Sequence, residues 1–240
     1  MASNTVKIPK QHAIGNKKAA SCRCGFFVAN NLAFIELYYH HKKTMPKRDQ
    51  IRTHLTPYAD VNEIIAFFTN QVIPIFAENL AGIYLTGSLS YRAFNYDTSD
   101  IDLTVIIEQP ISSNELAELK QFHIQMENKY KEWAKRLECT YTPKGMLPNT
   151  NPPQKPRPWY WGGDATLYEE APYGNEWITN TYLLYEKSIS LFGPEFKTLR
   201  SPVDIEDVQK ACIRDLFQEW KPKKTNRDWF VDNLANNGEI

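Results

Sequence analysis

The sequence has no excess of either charge: 28 basic and 28 acidic side chains in 240 residues give a formal net charge of zero. A protein acting on nucleic acid more often carries a basic excess or stripe, so the balance favours a small-molecule partner. Cysteine is scarce. Cys22, Cys24, Cys139 and Cys212 make no ligand set, because Cys22-x-Cys24 has no second pair nearby, and the density is too low for a disulfide framework. A reducing cytoplasm is the simpler reading. The histidines are scattered, and His40-His41 reads as a solvated pair rather than a metal site. No apolar run approaches the about 18 residues of a membrane-spanning helix, and no internal repeat is visible. Lys17-Lys18 ahead of Cys24-Gly-Phe-Phe-Val-Ala has the outline of a signal peptide. However, Asn30, Asn31 and Glu36 interrupt it and no small-residue cleavage site follows. With 42% hydrophobic residues, the chain can build one large or two small domains with a real core.

Residues 82–107, GIYLTGSLSYRAFNYDTSDIDLTVII, carry the densest signal. They read as an apolar strand (Gly82–Thr86), a Gly87-Ser88 turn, a polar loop and a second strand (Ile101–Ile107). Side chains alternate along a strand, so Asp100 and Asp102 point the same way while Ile101 and Leu103 face the core. Carboxylates so placed repel each other unless a cation lies between them, and all-oxygen ligation suits Mg²⁺. The Gly-Ser turn offers backbone N–H groups and a hydroxyl to a phosphate, with no Cβ on Gly87 to block approach. These parts suit phosphoryl or nucleotidyl transfer, in which the protein mostly positions groups and neutralises charge.

The rest of the chain is read around that stretch. Residues 1–44 are expected to be a poorly ordered extension or a peripheral helix near 28–39, with Met45 a candidate functional start. Asp60 and Glu63 form a capping-box pattern ahead of Val61, Ile64, Ile65, Phe68, Val72, Ile75 and Phe76, a core-facing helix that Pro74 bends. A long helix is expected over 113–135, with Leu116, Leu119, Phe122, Ile124, Met126, Tyr130 and Trp133 on or near its buried side. Residues 136–141 read as a third strand, with Leu137, Cys139 and Tyr141 on one face and Glu138 and Thr140 on the other. The proline-rich stretch 143–158 is expected to be a long loop. The aromatics Trp159, Tyr160, Trp161 and Tyr168 read as a satellite core beneath that loop, in preference to a substrate wall. Asn175 is the expected cap of a helix running to about Leu191, stopped by Gly193-Pro194. Asp204 caps another over 204–220, whose Val208, Cys212, Leu216 and Phe217 form a core stripe. Lys221-Pro-Lys-Lys-Thr reads as a solvated linker.

The Gly-Ser pair, the short loop and Ser99-Asp-Ile-Asp-Leu103 ahead of Thr-Val-Ile-Ile resemble the signature of the nucleotidyltransferase superfamily, the polymerase-beta-like fold. From about Val61 to Asp232 the chain resembles the aminoglycoside nucleotidyltransferases of the streptomycin/spectinomycin type. The matching segments are Leu137-Glu-Cys-Thr140, Gly174-Asn-Glu-Trp177, Leu191-Phe-Gly-Pro194, Pro202-Val-Asp-Ile-Glu-Asp-Val208, Trp220 and Asp228-Trp229 with Asp232.

The resemblance implies an α/β (α+β) fold: a small mixed sheet with flanking helices over 45–200, then the start of a C-terminal helical domain over 201–240. It implies Asp100 and Asp102 as metal ligands for Mg²⁺, Gly87, Ser88 and Ser99 on the nucleotide, and Glu138 as the base that activates a hydroxyl. Trp177, Asp228 and Asp232 would contact the acceptor. The implied activity is AMP transfer from Mg·ATP to an aminoglycoside-like hydroxyl, an antibiotic-resistance chemistry, by a cytoplasmic monomer without nucleic-acid or membrane partners. AMP transfer to a protein or another metabolite is the alternative, as is a truncated, inactive nucleotide-binding member. Two departures bear on this. Tyr91-Arg-Ala-Phe-Asn-Tyr96 replaces the family's glycine- and lysine-containing loop. The family also continues beyond the second Asp, so a truncated C-terminal lobe is expected here.

Overall fold

A computed structural model describes residues 55–221 and residue 225. The expected extension 1–44, Met45, Asp228, Trp229 and Asp232 lie outside the described residues. Six strands form one sheet in the order β5-β4-β3-β2-β1-β6. They are β1 (Leu80–Leu85), β2 (Ile101–Ile107), β3 (Leu137–Pro143), β4 (Arg157–Trp161), β5 (Thr166–Ala171) and β6 (Ile189–Phe192). The β2–β3 pair is parallel and the other pairs are antiparallel. Among the described residues, the longer helices that flank the sheet are α1 (Ala59–Phe76), α2 (Ser113–Lys129), α3 (Trp177–Lys187) and α4 (Ile205–Asp215), with short helical turns at Gly87–Ser90 and Lys131–Ala134. None of the described helices is long and apolar enough to cross a membrane.

Each face of the sheet has its own core. On one, α1 and α2 set Ile64, Phe68, Val72, Leu119, Phe122 and Met126 against Ile83, Leu85, Leu103, Val105, Leu137 and Tyr141. On the other, Tyr84 and Ile106 meet Trp177, Ile178 and Leu184 of α3 and Val208 and Ala211 of α4. Strand alternation sorts the two sets: Ile101, Leu103 and Val105 go to the first face, leaving Asp102 and Thr104 on the second.

The structure departs from the sequence reading where a tertiary partner overrides local pattern. Helix α1 starts after Tyr58, and Asp60 lies inside its first turn rather than at the cap. The Asp60 carboxylate instead accepts from Tyr96 Oη and Trp133 Nε1, both at 2.7 Å, tying the 91–99 loop to α1. The true capping box belongs to α2: Ser112 accepts from Glu115 N, and the Glu115 carboxylate accepts from Ser112 N. The helix expected over 113–135 is broken at Tyr130, which turns away (φ −123°, ψ 52°) and donates its hydroxyl to Glu63 Oε1 at 2.8 Å; a short separate helix, Lys131–Ala134, follows. Ile124 is exposed.

Residues 157–171, read as loop and satellite core, form the β4–β5 hairpin. Asn175 caps nothing; Glu176 holds the N-cap position of α3 without a side-chain bond. Helix α3 stops at Lys187, and Ile189–Phe192 pairs with β1 as an edge strand. A four-residue apolar run carries too little periodicity to separate a last helical turn from a strand. Asp204 does cap α4, accepting from Glu206 N at 2.9 Å. In the expected stripe only Val208 is buried. Cys212, Leu216 and Phe217 are exposed, the last two on the π-helical continuation Leu216–Trp220.

Candidate active site

The parallel β2–β3 register sets Asp102 directly beside Glu138. Leu137 and Cys139 are buried behind Glu138, which turns its carboxylate to the opposite face. Asp100, at the entry to β2, completes a cluster in which one carboxylate oxygen from each residue lies within 4.8 Å of the others. Burial pushes the Asp102 carboxyl up to about 7, reinforced by the Asp100 and Glu138 charges. Burial also raises Glu138, with the Asp100 charge adding and a hydrogen bond from Trp159 opposing. Three hard oxygen donors that repel one another fit a dication such as Mg²⁺, which would cancel that repulsion.

The turn after β1 is built around this cluster. Gly87 has φ +61°, and a Cβ there would sit 1.6 Å from Asp102 Oδ2, so only glycine lets the turn pass the carboxylate. Thr86 N donates to Asp102 O at 3.0 Å, locking β1's exit to β2's entry. Ser88 Oγ, expected on the phosphate, is buried without a hydrogen-bond partner among the described residues, and Ser88 is not among the residues that line the cleft beside the cluster. Ser99 is occupied differently. Its hydroxyl accepts from Asn95 N at 2.9 Å and its carbonyl takes Arg136 Nε at 2.8 Å, so it braces the 91–99 loop. Arg136 stacks on Trp133, 4.3 Å from the ring centroid.

A cleft of about 420 Å³ opens between this face of the sheet and α3, with Gly87, Asp102, Glu138 and Trp177 among its lining. Trp177 is 7% exposed; its indole donates to Asn149 O at 2.9 Å and its ring meets Tyr173 edge-on. It walls the cleft as a fixed surface rather than standing free in it.

Three lining residues were not singled out from the sequence for this role. Trp159 donates its indole N–H to Glu138 Oε1 at 2.9 Å and stacks on Tyr168, so the aromatics read as satellite core include part of the cleft wall. Arg157 Nε donates to Thr140 Oγ1 at 3.0 Å. Tyr91 hangs over the cluster from the loop, its phenol raised by burial and by Asp102 and Asp100. The missed signal was the strand period of Arg157-Pro-Trp-Tyr-Trp161, which puts Arg157, Trp159 and Trp161 on one face.

No protein-family model and no curated protein matches the sequence. A solved structure does match: spectinomycin adenyltransferase AAD(9) from Enterococcus faecialis, with ATP and spectinomycin. It aligns at a TM-score of 0.55 over 73% of this chain and 69% of that chain, with 18% sequence identity. The shared fold is a nucleotidyltransferase fold. In this nucleotidyltransferase fold the β1–β2 hairpin and β3 bring Gly87, Asp100, Asp102 and Glu138 to one end of the sheet, while Ser99 stays behind in the loop.

Proposed function

We propose that the protein transfers AMP from Mg·ATP to a hydroxyl group of a small, hydroxyl-rich acceptor. The observation that carries this reading is the carboxylate cluster: Asp102 and Glu138 paired in register, Asp100 within reach, all at the end of an open cleft. Asp100 and Asp102 would hold Mg²⁺, which supplies charge neutralisation for the phosphates. Gly87 N–H and the unpartnered Ser88 hydroxyl would bind phosphate oxygens, and Glu138 would take the proton of the acceptor hydroxyl. The acceptor oxygen then bonds to the α-phosphorus, the bond from that phosphorus to the β-phosphate oxygen breaks, and pyrophosphate leaves. Trp159 holds one Glu138 oxygen, leaving the other to receive the proton.

The resemblance and the AAD(9) structure support an aminoglycoside-like acceptor, and the threonine-lined floor of the cleft (Thr104, Thr140, Thr142) suits a hydroxylated ring. Mass spectrometry of candidate acceptors incubated with the protein, ATP and Mg²⁺ tests the reaction. An AMP adduct that forms with wild-type protein and not with Asp102→Asn is expected. Adduct formation undiminished in Asp102→Asn would overturn the mechanism.

A further inference from the structure

Beyond the carboxylate cluster, the cleft contains a guanidinium that the proposed transfer leaves without a task. Arg157 opens β4, lines the cleft and is half-buried. Its bonds all go to neutral oxygens: Nε to Thr140 Oγ1 at 3.0 Å, Nη1 to Ala171 O at 3.2 Å and to Pro172 O. Its plane lies over Tyr173, 4.2 Å from the ring centroid. Among the described residues it forms no ion pair, and Nη2 makes no hydrogen bond. Glu138 and Glu176 act on it only as more distant charges, while burial lowers its pKa. Glu138 is committed to Trp159, and Glu176 accepts from Gly174 N at 3.1 Å. A charge taken partly out of water without a carboxylate partner is costly, and a stacked, braced guanidinium whose Nη2 alone is open has two N–H donors left to offer an anion.

We infer that Arg157 binds an anionic group, a carboxylate or a phosphate monoester, on a hydroxylated small molecule whose hydroxyl reaches Glu138. This rests on the proposed transfer only in calling that molecule the acceptor. The spacing supports it. Thr140, to which Arg157 is anchored, follows Glu138 by two residues on the same face of β3, about 7 Å along the strand. An anion at Arg157 and a hydroxyl at Glu138 therefore span roughly one sugar ring. Amino substituents in the same place would meet the guanidinium with like charge. The hydroxylated ring of the proposed acceptor is kept, and its cationic groups give way to an anion.

The Nε–H resonance of Arg157 in the whole chain, assigned by its loss in Arg157→Lys, reports an anion on Nη2 through the shared guanidinium plane and the bond that Nε makes to Thr140. With Mg²⁺ and a non-hydrolysable ATP analogue present, gluconate and glucose 6-phosphate are the anionic probes, sorbitol the neutral control and streptomycin the cationic one. At least one anion should shift the resonance while sorbitol at equal concentration leaves it in place. A response to gluconate alone assigns a carboxylate, and to glucose 6-phosphate alone a phosphate. Calorimetry should show Arg157→Met weakening that anion about tenfold to a hundredfold, the loss of one charge-assisted contact. Anions that leave the resonance unmoved, or streptomycin that binds equally well to wild type and Arg157→Met, would overturn the inference. Should Arg157→Met not fold, the wild-type resonance still decides. Anion binding at Arg157 with no AMP transfer to any acceptor removes the proposed reaction and keeps the site. AMP transfer to streptomycin indifferent to Arg157 does the reverse.

Discussion

At the scale of single residues, the two proposed roles of the carboxylates separate cleanly in experiment. Glu138→Gln keeps the side chain's size and can still meet the Trp159 indole, but removes the basic oxygen. It should lower turnover by about 10²–10⁴ and leave Mg·ATP binding near wild type by calorimetry. A joint loss of binding and turnover would make Glu138 a metal ligand instead.

Asp102 is read through stability. The fold raises its carboxyl from 3.8 to about 7, so the folded state binds an extra proton across that window. Its contribution therefore weakens the metal-free protein as pH rises toward 7. His123 acts in the opposite sense. It is buried on α2 with Nε2 against Tyr141 Oη at 2.8 Å, and burial lowers it from 6.5 to about 3. Its contribution is present above pH 6.5 and lost as pH falls toward 3. Mg²⁺ should thus raise the melting temperature strongly at pH 7.5 and weakly at pH 5. Asp102→Asn should melt above the metal-free wild type at pH 7.5, ignore Mg²⁺, and lose stability steadily on acidification as the His123 contribution goes. A Mg²⁺-independent wild-type melting temperature at pH 7.5 would count against the metal site. Strand alternation fixed the faces of the Asp pair and of Glu138, while the placing of Glu138 beside the pair came from the resemblance and is the register the β2–β3 pairing has. Arg157 and Trp159 were not legible, since a residue ending a proline-rich run and a tryptophan between aromatics look like loop and core until β3 supplies their partners.

At the scale of elements, local rules succeeded where no distant partner competed. The Asp204 cap, expected from the sequence, is satisfied within its own first turn, as is the Ser112 box that the structure adds. Ser112→Ala should cost about 1 kcal/mol by chemical denaturation with turnover unchanged. Where a distant partner did compete, it won: Asp60 gave up its expected cap for Tyr96 and Trp133, and α2 stopped where Tyr130 found Glu63. The β4–β5 hairpin was hidden by composition, because prolines flank it and exposed Glu169 and Glu170 break the apolar alternation of its edge strand. Two glycines carry the opposite lesson. Gly193 holds φ +82°, and a Cβ there would lie 2.6 Å from Ala81 O. Gly193→Ala should therefore destabilise the β1–β6 edge by about 1–3 kcal/mol. Gly87→Ala should instead strike the site, displacing the Asp102 carboxylate and abolishing Mg²⁺ stabilisation even where the protein still folds.

At the scale of the whole molecule, the small mixed sheet with flanking helices was expected from the resemblance, while local pattern gave three of its strands and the amphipathic helices around them. The sixth strand and the hairpin were not legible, so the sheet is wider than its sequence suggested. Because β1, β2 and β3 are interior strands hydrogen-bonded on both edges and packed on the α1–α2 core, their amides should be the slowest to exchange with deuterium, with the edge strand β5 the fastest. The parallel pairing of β2 with β3 has a kinetic consequence. Antiparallel neighbours can zip from a turn, but Asp102 and Glu138 meet only after residues 108–136, α2 among them, have packed across the sheet. A half-folded chain with an intact β1–β2 hairpin would own the Gly-Ser turn and both aspartates and still lack the third carboxylate. In refolding, the recovery of catalysis should therefore trail the recovery of hairpin structure and coincide with the last cooperative phase, so that nascent chains stay chemically silent until the crossover has closed.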